Sequence, residues 1–294
     1  MEKETILAGL DPEVLDEMTS RRGALLGMGR MGAKLALASA PLAVAAMARQ
    51  AFAQTTLPAN IVAVLNFALI LEELESEFYT IATGGMAMSG GAMVTNLIPS
   101  QDRPIFDTLR DHEQAHVRFL RQALGSQAVA KPTFDFTAGG TFPNAFTSYA
   151  TFLTLSQAFE DTGVRAYKGQ APNLFANKDI LEAALSIHSV EARHASEVRR
   201  LRGNFSEQAP QKGWITGNQS GGAPAAIYAG EENVQQGAPP APAPGINVNT
   251  LAGVTGAGVN PAVAATAGSE AFDEPLTRAQ VVAIVDPFIV EPIS

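Results

Sequence analysis

Between positions 72 and 194 one spacing occurs twice. A glutamate is followed seven residues later by a tyrosine, and a further glutamate is followed three residues later by a histidine. The first copy is Glu72, Tyr79, Glu113 and His116; the second is Glu160, Tyr167, Glu191 and His194. All eight fall in segments whose apolar residues recur with helical period. At 3.6 residues per turn, positions three or seven apart share one face of a helix. Each segment therefore carries its carboxylate in line with its tyrosine or histidine, well inside its length. A fold must either present these groups to water or gather them at one level.

The boundaries of the four segments are legible. The spacing predicts helices over 58–83, 103–124, 145–168 and 178–202. Pro58 sits in the first turn of the first, and Gly84-Gly85 ends it. Asp102 and Gly125 bracket the second, Asn144 and Gly169 the third, and Asn177 and Gly203 the fourth. Arg199, Arg200 and Arg202 lie in the last turn of the fourth, where the helix dipole favours cations. The link over 125–144 is longer than the others and holds Pro132, Gly139, Gly140 and Pro143. Two hairpins joined by one long crossover make an all-α four-helix bundle; a simple up-and-down bundle needs only short loops.

In antiparallel helices of such a bundle, mid-helix positions face each other. Four carboxylates gathered in an apolar core repel one another and are costly to ionise. Two divalent cations balance the four charges, and the two imidazoles complete the donor set. That is the physical reason to expect a di-metal site.

With these residues in view, the chain to about Gly203 resembles the ferritin-like di-iron carboxylate superfamily. The stretch from Asn66-Phe67-Ala68-Leu69 to Leu74-Glu75-Ser76-Glu77-Phe78-Tyr79 is most similar to its exported branch, which includes desiccation-related proteins. The resemblance implies Glu72, Glu113, His116, Glu160, Glu191 and His194 as ligands of two Fe or Mn ions. It implies Glu113 and Glu191 as the bridging pair, and Tyr79 and Tyr167 as the groups that orient the terminal glutamates. The near-symmetric set resembles bacterioferritin-type sites, whereas the leader and long extension depart from storage ferritins.

Other readings of the same residues stand beside this one. Glu75 is three after Glu72 and could replace it, but the duplicate position is Gly163, which favours Glu72. Glu73 and Glu77 read as a solvated face. His188, three before Glu191, reads as a supporting group or an extra ligand, and His112 as a surface residue. Met86, Met88 and Met93 lie in one Gly-rich loop; thioethers suit Cu(I), though flexible packing is the plainer role. A bundle that retains these residues without metal is the remaining alternative.

The ends of the chain read differently. Positions 1–53 resemble a twin-arginine export signal: Arg21-Arg22, an uncharged Ala/Leu-rich stretch, and Ala51-Phe52-Ala53 as the cleavage site. The expected location is therefore periplasmic or extracellular, with a ferritin-like unit over 54–203 and a Gly/Pro/Ala-rich extension over 204–294. Within the extension, 238–244 alternates Ala and Pro as a linker does. Thr277-Arg278-Ala279-Gln280 has the form of a capping box, and Val281, Val282, Ile284 and Val285 follow. A short amphipathic helix near 278–286 that docks on the bundle is expected.

The 294 residues include 20 basic and 29 acidic side chains, for a net charge of −9. That balance argues against nucleic-acid binding. The absence of Cys excludes disulfides, thiolate nucleophiles, Cys-ligated zinc and a built-in iron–sulfur or rubredoxin-type centre. No stable membrane span is expected after cleavage. The expected partners are metal ions and O2 or H2O2, with a homodimer as one possible assembly. Two functions fit: a di-metal oxidoreductase of ferroxidase, peroxidase or catalase type, or a non-catalytic envelope stress protein with a structural metal site.

Overall fold

The computed structural model describes residues 57–85, 93–205, 211–236, 246–251 and 260–291. The stretch expected to direct export, Met86 and Met88, and the Ala-Pro run lie outside the described residues.

Four long helices form the bundle: α1 (Ala59–Ala82), α2 (Arg103–Leu124), α3 (Tyr149–Gln170) and α4 (Lys178–Phe205). The main pairings are α1 with α2 and α3 with α4. Among the described residues, the extension adds a two-residue antiparallel ladder, β1 (Gln235–Gln236) with β2 (Ile246–Asn247). Two further helices follow, α5 (Pro261–Ala271) and α6 (Arg278–Val285). No helix among the described residues is long and apolar enough to cross a membrane.

The helix starts show which cap signals win. Asn177 caps α4, its Oδ1 accepting the Ile180 N–H at 3.1 Å. Asp102 stands at the start of α2 but makes no side-chain cap; its carboxylate accepts the Tyr149 hydroxyl at 2.8 Å instead. The third helix begins four residues later than its spacing predicts. The Asn144 carbonyl accepts the N–H groups of Thr147 and Ser148 in a separate turn, and Ser148 then caps α3 through the Thr151 N–H.

Two glycines expected to end helices lie inside them, for one reason. A Cβ on Gly169 would stand 1.9 Å from the Leu276 carbonyl oxygen, and one on Gly203 would stand 2.9 Å from that of Gln211. In both places the backbone of the extension packs directly on a helix, and only glycine admits it. The arginines near the end of α4 act through partners rather than the dipole alone. Arg199 pairs with buried Asp161, and Arg202 donates to Gln157, Thr154 and the Gly221 carbonyl.

Apolar residues pack in two main clusters along the bundle. One holds Leu74, Phe78, Phe106, Phe152 and Val198; the other holds Leu65, Leu69, Leu120, Leu174 and Ile187. At about 1.5–3 kcal/mol for each fully buried large side chain, they dominate the stability of the bundle.

The extension is part of this packing. The capping box of α6 forms as its spacing predicts, and Val281 and Val285 are buried against the bundle. The crossover is held at its far end: Asp135 N–H donates to the Phe288 carbonyl and Val290 N–H to that of Thr133, each at 2.9 Å. Arg165 of α3, almost fully buried, pairs with Glu231 at 2.7 Å and donates to the carbonyls of Ile227, Ala229 and Glu274. Tyr228 reaches Asp161 at 2.6 Å. These contacts cover the outer face of α3 and turn its glutamate-bearing face to the bundle axis. α5 lies within the Gly/Pro/Ala-rich extension and packs against the turn at Val248–Thr250.

Candidate metal centre

The six residues expected as ligands converge. Glu72, Glu113, Glu160 and Glu191 are fully buried, and His116 and His194 nearly so. Their donor atoms form two groups, each with atoms within 4.8 Å of one another. One group comprises Glu72, Glu113, His116 and Glu191; the other comprises Glu113, Glu160, Glu191 and His194. Glu113 and Glu191 belong to both.

The contacts resolve how those two span the pair. Glu113 places Oε2 3.0 Å from His116 Nδ1 and Oε1 2.8 Å from His194 Nδ1. Glu191 places Oε1 3.0 Å from His116 Nδ1 and Oε2 3.7 Å from His194 Nδ1. Glu72 Oε2 lies 3.0 Å from His116 only, and Glu160 Oε2 lies 3.4 Å from His194 only. Each donor group thus has one carboxylate of its own, one imidazole and two carboxylates shared with the other group.

The tyrosines cross between the halves. Tyr79 of α1 donates to Glu160 of α3 at 2.6 Å, and Tyr167 of α3 donates to Glu72 of α1. Each leaves the second oxygen of its glutamate facing the centre. Burial first, then the neighbouring carboxylate, raises both phenols well above their ordinary pKa, so both stay protonated.

The electrostatics state what the centre requires. Burial and neighbouring carboxylates push Glu72 up to about 8, against the pull of His116. Burial also raises Glu160, and more so than the nearby imidazole lowers it. Burial works against ionised Glu113 too, but His194 and His116 outweigh it and hold that carboxyl low. Both imidazoles are driven up because their carboxylate neighbours overcome burial. Protons therefore occupy several donors that a dication would replace. Glu113 Oε1, Glu160 Oε2, both Glu191 oxygens and His194 Nδ1 are buried and crowd against one another without forming hydrogen bonds of good geometry. Buried lone pairs of this kind aimed at one centre fit carboxylate- and imidazole-binding divalent metals such as Fe or Mn.

Three neighbours, His112, Glu73 and Glu77, depart from expectation. His112 is buried, and its Nδ1 lies 2.9 Å from His194 Nε2 with the rings nearly parallel. Its spacing of four from His116 was the available signal, because it shares that residue's helix face. Glu73 and Glu77 are buried rather than solvated, since Arg121 and Lys131 cover them: Arg121 meets Glu73 at 2.5 Å and Lys131 meets Glu77 at 2.6 Å. Glu75 does not replace Glu72 but adds a fifth buried carboxyl near the cluster. His188 is half-buried and belongs to neither donor group, and Met93 is exposed.

Residues 60–204 match the family model of the ferritin-like domain. No curated protein and no solved structure gave a match.

Proposed function

From a chain whose residues 60–204 form a ferritin-like domain, we propose that it holds two Fe or Mn ions between Glu72, Glu113, His116, Glu160, Glu191 and His194. We further infer that it reacts with O2 or H2O2. The observation that carries this reading is the sharing of Glu113 and Glu191 by both donor groups. Such a metal pair supplies redox equivalents to a small oxidant when bound.

The side chains of the chain do the rest. Glu72 and Glu160 hold the outer positions, oriented by Tyr167 and Tyr79. The two phenols are buried O–H groups that contact the donors, and their hydrogen bonds hold Glu160 and Glu72 in place. Full burial of the six side chains admits only small substrates. A cavity of about 20 Å³, lined by Leu65, Leu120, Tyr167 and Ile187, borders the Tyr167 side and suits a small apolar molecule. Ferroxidase or catalase chemistry fits a chain without Cys, because the substrate itself supplies the electrons.

A second reading is a structural metal pair in a non-catalytic envelope protein of the desiccation-related kind. The depth of burial and the extension locked over α3 by Arg165 favour it. In either reading the leader over 1–53 directs export in folded form, so that the metals are chosen in the cytoplasm before Cu and Zn compete. Metal analysis of the full chain, with H2O2 consumption and O2-dependent Fe(II) oxidation after anaerobic loading, separates the two. Bound metal without either turnover sinks the enzyme reading. Absence of bound metal sinks both.

A further inference from the structure

The two halves of the centre are related by the repeated spacing, yet two positions break that relation. Glu75 corresponds to Gly163, and His112 corresponds to Val190. Both departures add a polar group on the same side. The geometry points to a tighter metal position facing His194, filled before the one facing His116, with His112 as the positioning residue that fixes His194 and Glu75 as an added carboxyl. This inference rests on the di-metal reading above.

The first support is the imidazole pair. His194 turns Nδ1 toward Glu113, Glu160 and Glu191, at 2.8, 3.4 and 3.7 Å. Its other nitrogen, Nε2, lies 2.9 Å from His112 Nδ1. With the proton on Nε2 donated to His112, the lone pair of Nδ1 faces the centre and the ring cannot turn away. A held ring nitrogen of this kind raises metal affinity about 10–100-fold. The residue at the related position of the repeat is Val190, whose side chain has no acceptor.

The second support is Glu75. A Cβ at Gly163 would meet Glu75 Oε1 at 3.4 Å and Glu191 Oε2 at 3.8 Å. The glycine thus leaves room for two carboxylate oxygens to approach. Glu191 Oε2 is the oxygen on the His194 side, since Oε1 is the one 3.0 Å from His116. Glu75 accordingly brings one more carboxyl oxygen to the His194 half.

The test is anaerobic titration of the full chain with Mn(II), read by calorimetry and by the electron paramagnetic resonance of free ion. The wild type is expected to bind two equivalents in two resolved steps. His112→Phe should weaken the tighter step about 10–100-fold and leave the weaker step in place. His112→Gln, which keeps an acceptor, should retain most of the affinity. Glu75→Gln should weaken the same tighter step, and Glu72→Gln the other. Two equal steps in the wild type overturn the inequality while sparing the di-metal reading; no Mn(II) bound overturns that reading itself. An effect of His112→Phe on the weaker step alone, on both equally, or on neither also overturns it. Should circular dichroism show His112→Phe unfolded, the Glu75→Gln titration decides: an unmoved tighter step refutes the proposal.

Discussion

The Tyr79 hydroxyl on α1 donates to Glu160 Oε1 on α3 at 2.6 Å, and the related Tyr167 returns the contact from α3 to Glu72 on α1. Each tyrosine is seven residues from the glutamate on its own helix but serves the glutamate on the other. Holding one terminal carboxylate therefore requires both hairpins to be assembled. Tyr79→Phe should leave the fold intact and free Glu160 to rotate. The expected loss is about 10–100-fold in affinity for one metal equivalent, read by metal titration. Unchanged affinity would show that packing alone positions Glu160.

Removing a bridging carboxylate differs from removing a terminal one. Glu113 lies within 3.0 Å of both imidazoles, whereas Glu72 contacts only His116. Glu113→Ala with His116→Ala should abolish loading of both equivalents, while Glu72→Gln should spare one. Elemental analysis of the purified variants checks the stoichiometry. Two metals retained in the Glu113/His116 variant would refute the ligand set.

The metal-free protein should lose stability as pH rises. Glu72 has a folded pKa near 8 against an ordinary 4.5. Between those values the folded state binds more protons than the unfolded one, so stability falls with increasing pH. His116 and His194, raised above 6.5, act in the same direction: their contribution is complete below 6.5 and fades as pH passes the folded value. Lowered Glu113 and Glu191 act oppositely, but only as pH falls below 4.5. Thermal melts of chelator-treated protein from pH 5 to 8 should show a falling Tm, and saturating metal should remove the slope by mass action. A Tm that rises over that range in chelator would contradict the shared-proton description.

The extension should be energetically coupled to the bundle. Arg165 is about 1% exposed, and its ion-pair partner is Glu231. Glu231→Ala leaves that guanidinium buried without its carboxylate, which costs about 3–5 kcal/mol. The measurement is a chemical-denaturation midpoint together with limited proteolysis of the extension. A variant as stable and protease-resistant as wild type would show that Arg165 is satisfied by the three carbonyls alone. Gly169→Ala should give a related loss, because the new methyl would collide with the Leu276 backbone.

What the chain determined locally was the set of long helices and the faces they share. Glu-x-x-His on α2 and α4 and the paired glutamates of α1 and α3 follow from a period of 3.6 and from where a carboxylate can stand relative to an imidazole. The capping box at Thr277 is equally local, since Thr277 and Gln280 satisfy each other's backbone. Tertiary structure decided everything that depended on a neighbour distant in sequence. Gly169 and Gly203 stop no helix, because the extension's backbone needs the space of a missing Cβ there. Glu73 and Glu77 look solvated along their own helix until Arg121 and Lys131 close over them. His112 becomes part of the centre only when α4 brings His194 to it. Hydrophobic period and capping act over a few residues and can be read along the chain; burial, charge pairing and close backbone approach are properties of segments that meet only once folded.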